Sequence, residues 1–213
     1  MTTLDVRQPR RTAPTRRAVK GQIRGDRTRQ LIIDETIRCV REEGFMAMSA
    51  SHIAERAGVT WGVIQYHFGD RNGVLMAVVD HGYDLLRAAI DDVKLPAGPT
   101  HERVQAVVDA GWSAFSNPAS LAAFEILVAT RASREPRLEQ HLADLADQLA
   151  RLGRALDPLG RGRRRQAIGN LFWAALRGLA LAQMVVSEPL DFTHERRVLV
   201  DLLTMYLDSR SAE

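Results

Sequence analysis

The sequence predicts an all-α protein with a short helical domain at its N-terminus and a larger helical domain after it. Apolar residues recur at helical spacing from residue 26 onward, and Gly and Pro residues divide the chain into helix-length segments. No segment shows the alternation of a β-strand. With 213 residues, of which 46% are hydrophobic and 26% charged, the chain is long enough to bury a substantial core.

The net charge of +3 is distributed unevenly along the chain. Residues 1–75 hold 13 Lys and Arg against 8 Asp and Glu, whereas residues 76–213 hold 16 against 18. Basic residues dominate 1–25, which lacks periodicity, so we expect a flexible basic arm there that either attracts a polyanion such as DNA or serves as a solubilising tail. The lone Cys39 excludes an intrachain disulfide and favours the cytoplasm.

Capping residues and breaks define the expected helices in order. A first helix should span 26–43 and end at Gly44, and Ser49 should cap a second that ends before Gly58. Thr60 should cap a third helix that runs through His67. A fourth should span 70–94, and Pro- and Gly-containing breaks then separate helices near 100–115, 118–132, 136–156, 163–186 and 192–208. The predicted parts are 1–25, 26–72 and 73–213.

The three short helices predict a helix-turn-helix. Ala54 provides a small side chain where two helices cross, and Gly58 permits a left-handed turn between them. If Ile64 points inward, the third helix turns a neutral, polar and aromatic face outward, which suits contacts with base edges. This face comprises Gly62, Gln65 and Tyr66, with Trp61 and Val63 on its shoulders.

Phosphate contacts are expected from the rim of this face, where exposed polar groups and helix N-termini favour an anion. For two residues a structural role is the alternative: Trp61 packing against the basic arm, and His67 forming an interdomain hydrogen bond. The rim candidates are Ser49, Ser51, Thr60, Tyr66, His67 and Arg71.

Residues 26–76 also carry a longer combined motif. It comprises Thr28-Arg29, Ile32-Ile33-Asp34, Glu43-Gly44-Phe45 and Ser49-x-x-x-Ile53-Ala54-x-x-Ala57-Gly58-Val59-Thr60-x-Gly62-x-Ile64-x-Tyr66-His67-Phe68-x-Asp70-Arg71-x-x-Val74-Leu75. This combination resembles the N-terminal domain of the tetracycline-repressor (TetR) family of bacterial transcription regulators. The chain departs from the common family pattern at His52, Trp61 and Gln65, so its DNA sequence preference does not follow from a relative.

The resemblance implies an all-α homodimer whose C-terminal domain, 73–213 here, binds a small-molecule effector. It also implies that helices 163–186 and 192–208 form the dimer interface. Effector binding in such proteins moves the DNA-binding domains through the fourth helix, 70–94 here.

Aromatic and ionisable residues in the larger domain are candidates for a ligand pocket. Four aromatic residues lie on helices that would surround it, although each could be ordinary core: Trp112, Phe115, Phe124 and Trp173. Glu125 and Arg177 lie in apolar helical stretches, where they could pair with each other or one could face a ligand. The largely apolar wall predicts a lipophilic effector, and Glu125 would favour a cationic one.

Other functional classes find little support in the sequence. We find no phosphate-binding glycine loop, metal-spaced His and Cys set or Gly-x-Ser-x-Gly motif, and therefore expect no enzyme activity, catalytic residue, cofactor or metal. The apolar stretch from Leu171 to Val186 is shorter than the roughly 20 residues a bilayer requires and contains Arg177. We therefore expect a buried helix there, and no membrane partner.

The sequence thus predicts a cytoplasmic, ligand-responsive regulator that binds double-stranded DNA at a palindromic operator as a homodimer. Repression relieved by a small molecule is the expected mode. A transcriptional activator of the same fold is one alternative. A helical small-molecule-binding protein or enzyme with a vestigial DNA-binding domain is the other.

Overall fold

A computed structural model describes residues 16–132, 163–186 and 188–211, together with Glu139, Ala143, Asp144, Asp147 and Leu156. All regular structure in these residues is helical, which confirms the predicted all-α class. The expected helix at 136–156 lies outside the described residues apart from those five positions.

Eight α-helices and one short 3₁₀ turn make up the described part of the chain. Most bounds lie within three residues of those expected from caps and breaks. In chain order the elements are α1 (Arg16–Glu43), the 3₁₀ turn (Phe45–Ala47), α2 (Ala50–Arg56), α3 (Trp61–Phe68), α4 (Arg71–Asp91), α5 (Thr100–Phe115), α6 (Pro118–Ala129), α7 (Arg163–Val185) and α8 (Thr193–Ser211).

Helix α1 begins ten residues earlier than predicted. The segment 16–25 belongs to the helix, so this part of the expected flexible arm is helical, while residues 1–15 lie outside the described residues. The segment is rich in Arg, Lys, Ala and Gln, which favour helix intrinsically. Its large apolar residues are Val19 and Ile23, which are too few for hydrophobic periodicity to reveal a helix.

Helices α2 and α3 cross at a tight turn. The Ser49 side chain caps α2 by accepting a hydrogen bond from the backbone N–H of His52 at 3.1 Å. Gly58 has a φ of 62°, a left-handed conformation that a residue with a side chain rarely adopts. Ile53 and Ile64 are both fully buried and hold the two helices together.

The core of the first three helices continues into the larger domain. Its buried residues include Ile32, Ile53 and Ile64, and also Val78 of α4 and Ile126 of α6. A second cluster joins α5, α7 and α8 with the end of α4. Helix α4 therefore belongs to both cores and connects the helix-turn-helix rigidly to the larger domain.

Helix α7 has nearly the predicted bounds, but its apolar segment is longer than the predicted stretch from Leu171 to Val186. Its segment Gln166–Val185 has 20 residues with a mean hydropathy of 1.3, so by length and composition it is long enough to cross a bilayer. Its inner residues Phe172 and Leu176 are buried within the protein. Its outer residues Leu171 and Val185 are exposed, so the expectation of a buried helix holds for one face.

Candidate nucleic-acid interface and ligand cavity

Helix α3 presents the outward face that helical projection predicted. Ile64 is fully buried, whereas Gly62, Gln65 and Tyr66 are exposed. Tyr66 has the most exposed ring, with 84% of its surface accessible. A neutral aromatic and amide surface on an exposed helix can contact base edges and thymine methyl groups in a major groove.

The shoulders of this face are less exposed. Trp61 is 40% exposed, and Val63 is half-buried and packs against the N-terminal core. His67 is half-buried as well, with its ring 5.0 Å from that of Tyr66 and close to Gly25 of α1. Gly25 lies in the part of α1 that the sequence analysis assigned to the arm, so α1 directly supports one end of α3.

The predicted rim residues include one group beside α3 and another at the start of α2. Thr60 is exposed and, with Tyr66 and His67, lines a shallow open depression beside α3. Ser49 and Ser51 are exposed at the start of α2, with their hydroxyl oxygens 3.4 Å apart.

Arg71 has structural contacts of its own. Its Nε donates a hydrogen bond to the backbone carbonyl of Met48. Its guanidinium also lies over the Phe45 ring, 5.0 Å from the ring centroid. This side chain therefore fastens the start of α4 to the 3₁₀ turn, in addition to any contact with a phosphate.

Two further residues had no role assigned from the sequence: one is half-buried beside α3, and the other is exposed in the 3₁₀ turn. Thr28 of α1 lines the depression beside α3, and Met46 in the 3₁₀ turn is 92% exposed. Thr28 belongs to the family motif, and its place in that motif could have indicated a role near α3. Met46 had no such signal, because an exposed Met cannot be distinguished from a buried one by residue type.

An ion-pair cluster braces α1 against α2. Glu43 of α1 pairs with His52 at 2.8 Å and with Arg56, and Arg56 also pairs with Glu42 at 2.7 Å. The hydrogen bonds from His52 and Arg56 hold the pKa of Glu43 below its usual value. Hydrogen bonds to Glu42 and Glu43 raise the pKa of Arg56, which stays charged.

The buried Cys39 adjoins this cluster. Cys39, Glu43 and His52 each place one potential metal-ligand atom within 4.8 Å of the others, an arrangement the sequence spacing did not reveal. Burial, followed by the charge of Glu43, raises the pKa of the Cys39 thiol, which disfavours the thiolate form that binds metals. Glu43 is already paired with two side chains, so we assign the cluster to holding α1 and α2 together.

A cavity lies between α4, α5, α6 and α7, where the two cores meet. It encloses about 760 Å³ of atom-free space, including its opening to solvent. Its wall is mainly apolar and aromatic, as is usual for small-molecule sites. The lining residues are Val79, Gly82, Tyr83, Leu86, Phe115, Ser120, Leu121, Ala123, Phe124, Leu127, Trp173, Arg177, Ala180 and Leu181.

Four of the six predicted pocket residues line this cavity: Phe115, Phe124, Trp173 and Arg177. The rings of Phe115 and Trp173 pack edge to face with their centroids 4.2 Å apart. The lining residues of α4 had no assignment in the sequence analysis. Gly82 was their available signal, since a glycine inside a helix often marks a close approach.

Trp112 lies elsewhere, between α5 and α8. Its ring packs edge to face with that of Phe192 at 5.6 Å, and the Arg196 guanidinium lies 5.2 Å from its centroid. Trp112 shares the residue type and helical setting of the other aromatic candidates, so the sequence alone does not separate it from them. The structure gives it a packing role at this helix contact.

Glu125 also does not line the cavity, and it does not pair with Arg177. Its carboxylate accepts a hydrogen bond from the backbone N–H of Phe45 at 2.7 Å, across 80 positions of sequence. Consecutive residues on a helix point about 100° apart, so Phe124 faces the cavity while Glu125 faces the helix-turn-helix. The expectation of a carboxylate in the ligand wall is therefore wrong for this residue.

Comparisons with known proteins agree with the geometry. Residues 32–78 match the family model described as bacterial regulatory proteins, tetR family. Over 191 residues the chain is 31% identical to the HTH-type transcriptional regulator BetI of Escherichia coli strain K12 / DH10B, a match that covers 84% of this chain and 93% of that protein.

A second comparison covers less of its relative. BetI of Escherichia coli O17:K52:H18 is 37% identical over 83 residues, which span 38% of this chain and 43% of that protein. Among solved structures, a TetR-family regulator from Rhodococcus sp. matches with a TM-score of 0.64 and 19% identity, covering 85% of this chain and 98% of that one. At that identity the match supports the fold.

Proposed function

Because the chain belongs to the TetR family of bacterial transcriptional regulators, which are DNA-binding proteins, we propose that it is a repressor released from its operator by a small molecule. It acts as a homodimer in the cytoplasm and has no catalytic activity. The α3 helices of the two protomers read the two halves of a palindromic operator, because a single short helix contacts few base pairs.

The observation that carries this proposal is the position of α4. This helix begins beside α3, where Arg71 contacts the 3₁₀ turn, and its Val79, Gly82, Tyr83 and Leu86 line the cavity. A ligand that shifts α4 therefore also shifts the helix-turn-helix. Release from DNA requires that the ligand bind one dimer geometry more tightly than the other.

Helix α6 supplies a second connection between ligand and DNA. One face of α6 contributes Phe124 to the cavity, and the adjacent face contributes Glu125, which holds the Phe45 N–H. Displacement of α6 by a ligand would strain or break this hydrogen bond. The proposed release pathway thus uses α4 and α6 together.

The DNA contacts are proposed for the exposed face of α3 and its rim. Gly62, Gln65 and Tyr66 contact bases, with Trp61 and Val63 beside them. Four residues of the rim contact phosphates: Ser49, Ser51, Thr60 and His67. Arg71 contributes through its guanidinium nitrogens that do not bind Met48, and the basic residues before Arg16 add attraction that weakens with salt.

The test is selection of operator DNA by the full-length protein from a random double-stranded library, followed by footprinting at low salt. We expect an inverted repeat with half-sites centred about one helical turn apart, each protected symmetrically. Binding without any preferred sequence, or protection of a single unrepeated site, would contradict the proposal. Co-purified ligands identified by native mass spectrometry would then be tested for release of this DNA.

A further inference from the structure

The described wall of the cavity contains one residue with a formal charge at neutral pH. Arg177 of α7 lines it, and no Asp or Glu is among the described lining residues. Within the part of the chain that the structure describes, Arg177 has no ion-pair partner, and its ring contact is with Phe124 at 5.9 Å. Arg177 is half-buried, so the apolar wall removes part of its hydration; a bound anion would offset this loss, and contact with a ring compensates only partly.

The same cavity wall contains a hydroxyl group without a hydrogen-bond partner among the described residues. The Oγ of Ser120 is buried and forms no hydrogen bond within the described residues, although it lies on a residue of the cavity wall. Ser and Arg side chains both offer hydrogen-bond donors, so an occupant with acceptor oxygens satisfies both. A carboxylate also matches the planar donor geometry of a guanidinium.

The apolar residues of the wall determine the chemistry of the rest of the ligand, which must be lipophilic. Leu86, Leu121, Leu127 and Leu181 present aliphatic surface, and Phe115 and Trp173 present rings. The carboxylate that sequence analysis placed in the wall, Glu125, instead binds Phe45, which removes the reason to expect a cationic ligand.

We propose that this cavity binds a lipophilic carboxylic acid, with its carboxylate at Arg177 and Ser120 and its apolar body among the leucine and aromatic side chains. The proposal names the effector class of the ligand-responsive repressor proposed above and rests on that function for its biological meaning. Binding itself is measurable without DNA.

A carboxylate that is not among the lining residues acts on one residue of the cavity wall. Tyr83 lines the cavity, and burial, followed by the charge of Asp144, raises the pKa of its hydroxyl. If Asp144 dominated the field in the cavity, a cationic amphiphile would bind better than an anionic one. The experiment therefore compares head groups of both signs.

Isothermal titration calorimetry of the full-length protein with sodium decanoate, 1-decanol and decyltrimethylammonium, each below its micelle concentration, separates these cases at pH 7.5. The three probes share one alkyl chain and differ in head-group charge. We expect decanoate to bind at least about tenfold more tightly than the alcohol, and the cation more weakly than either. Equal affinities, preference for the cation, or no binding by decanoate would overturn the proposal.

Variants then assign the preference to Arg177. In Arg177→Met, decanoate affinity should fall about tenfold or more, to that of decanol, while decanol affinity stays constant. Arg177→Lys should retain part of the preference. Arg38→Met is the matched control, because Arg38 is an exposed arginine of α1 paired with Glu35. Unchanged decanoate affinity in folded Arg177→Met would contradict the assignment. If that variant does not fold, the relative affinities of the unaltered protein for the three head groups decide whether the cavity prefers a carboxylate.

A gel-shift assay on the selected operator with decanoate separates this proposal from the proposed function. Carboxylate preference without release of DNA leaves the ligand class standing and refutes release by such ligands. Release of DNA by the alcohol or cation with no carboxylate preference leaves ligand-responsive repression standing and refutes the ligand class.

Discussion

A side-chain hydrogen bond connects α6, one of the helices that line the cavity, to the turn before α2. The Glu125 carboxylate on α6 holds the backbone N–H of Phe45, in the turn between α1 and α2. The turn is also held by Arg71, whose guanidinium covers the Phe45 ring. These two side chains add specific contacts to the hydrophobic core in which Phe45 and α6 both take part.

We expect Glu125→Ala to lower the free energy of unfolding by about 1–3 kcal/mol, because it leaves the Phe45 N–H without its acceptor. Glu125→Gln keeps an acceptor oxygen and should cost less. Urea unfolding followed by circular dichroism measures both. Equal stabilities of the unaltered protein and Glu125→Ala would show that water replaces the carboxylate at no cost.

Tyr66 is the more exposed of the two aromatic residues Trp61 and Tyr66 on the proposed DNA-contact face. We expect Tyr66→Ala to weaken operator binding by about 1–3 kcal/mol, the usual value of a specific base contact, measured by fluorescence anisotropy with the selected operator. Thermal stability should change little, because the ring is 84% exposed. Tyr66→Phe distinguishes the contribution of the ring to DNA affinity from that of the hydroxyl. Full operator affinity in Tyr66→Ala would exclude Tyr66 from the interface.

At the scale of elements, the contact between α4 and α6 decides how the cavity is joined to the helix-turn-helix. The backbones approach closely at Gly82, where an added Cβ would lie 2.7 Å from the Cβ of Ala123 and 3.1 Å from the backbone oxygen of Ala119. Such distances leave no room for a methyl group without separation of the helices. Gly82 also lines the cavity, so this approach shapes the ligand site.

Gly82→Ala is therefore expected to destabilise the protein by about 1–3 kcal/mol, because α4 and α6 must move apart. The matched control is Gly62→Ala in α3, where an added Cβ would meet only the Thr60 hydroxyl at 3.8 Å. That control should gain about 0.5–1 kcal/mol from helix propensity. Denaturant unfolding measures both, and equal shifts of the same sign would contradict close packing at Gly82.

The brace between α1 and α2 predicts a dependence on pH. The pKa of Glu43 lies below its ordinary value of 4.5, so its pairing stabilises the fold at neutral pH and is lost as the pH falls below that value and Glu43 protonates. We expect the difference in Tm between the unaltered protein and Glu43→Gln to be largest above pH 5 and to shrink below 4.5. A constant difference across the range would show that the charge of Glu43 contributes nothing.

At the scale of the whole molecule, α7 and α8 each leave an apolar face exposed. On α7 this face includes Leu171 at 61% exposure, with the small residues Ala174 and Gly178 beside it. On α8, four large apolar residues recur at helical spacing: Val198, Leu202, Met205 and Tyr206. Contiguous apolar surface of this kind marks an interaction site, and the proposed homodimer would bury it.

We expect Leu171→Glu combined with Leu202→Glu to convert the proposed dimer to monomer, because two charges per protomer would be desolvated in an apolar contact. Analytical ultracentrifugation measures the mass, and affinity for the palindromic operator should fall with it. Val128→Glu on α6, at 46% exposure, is the control for adding a charge to an exposed apolar position. A double variant that remains dimeric would place the interface elsewhere.

The sequence by itself determined the all-α class, the helix-turn-helix and the outward face of α3. These features follow from local rules, because each depends on residues within a few positions of each other. Examples are the helix cap at Ser49, the left-handed turn at Gly58 and the burial of Ile64. Helical extension of α1 to Arg16 escaped the same rules because the added segment holds too few large apolar residues for hydrophobic periodicity to reveal a helix.

Tertiary structure alone decided the cavity and its charge. Phe124 and Glu125 are adjacent in an apolar stretch, and the sequence predicts both as pocket residues. Because consecutive residues on a helix point about 100° apart, Phe124 lines the cavity whereas Glu125 binds the Phe45 N–H. Trp112 and Trp173 have the same residue type, yet they pack in different places. Which face of a helix meets which neighbour depends on contacts far apart in the chain, and a pattern confined to one helix does not contain that information.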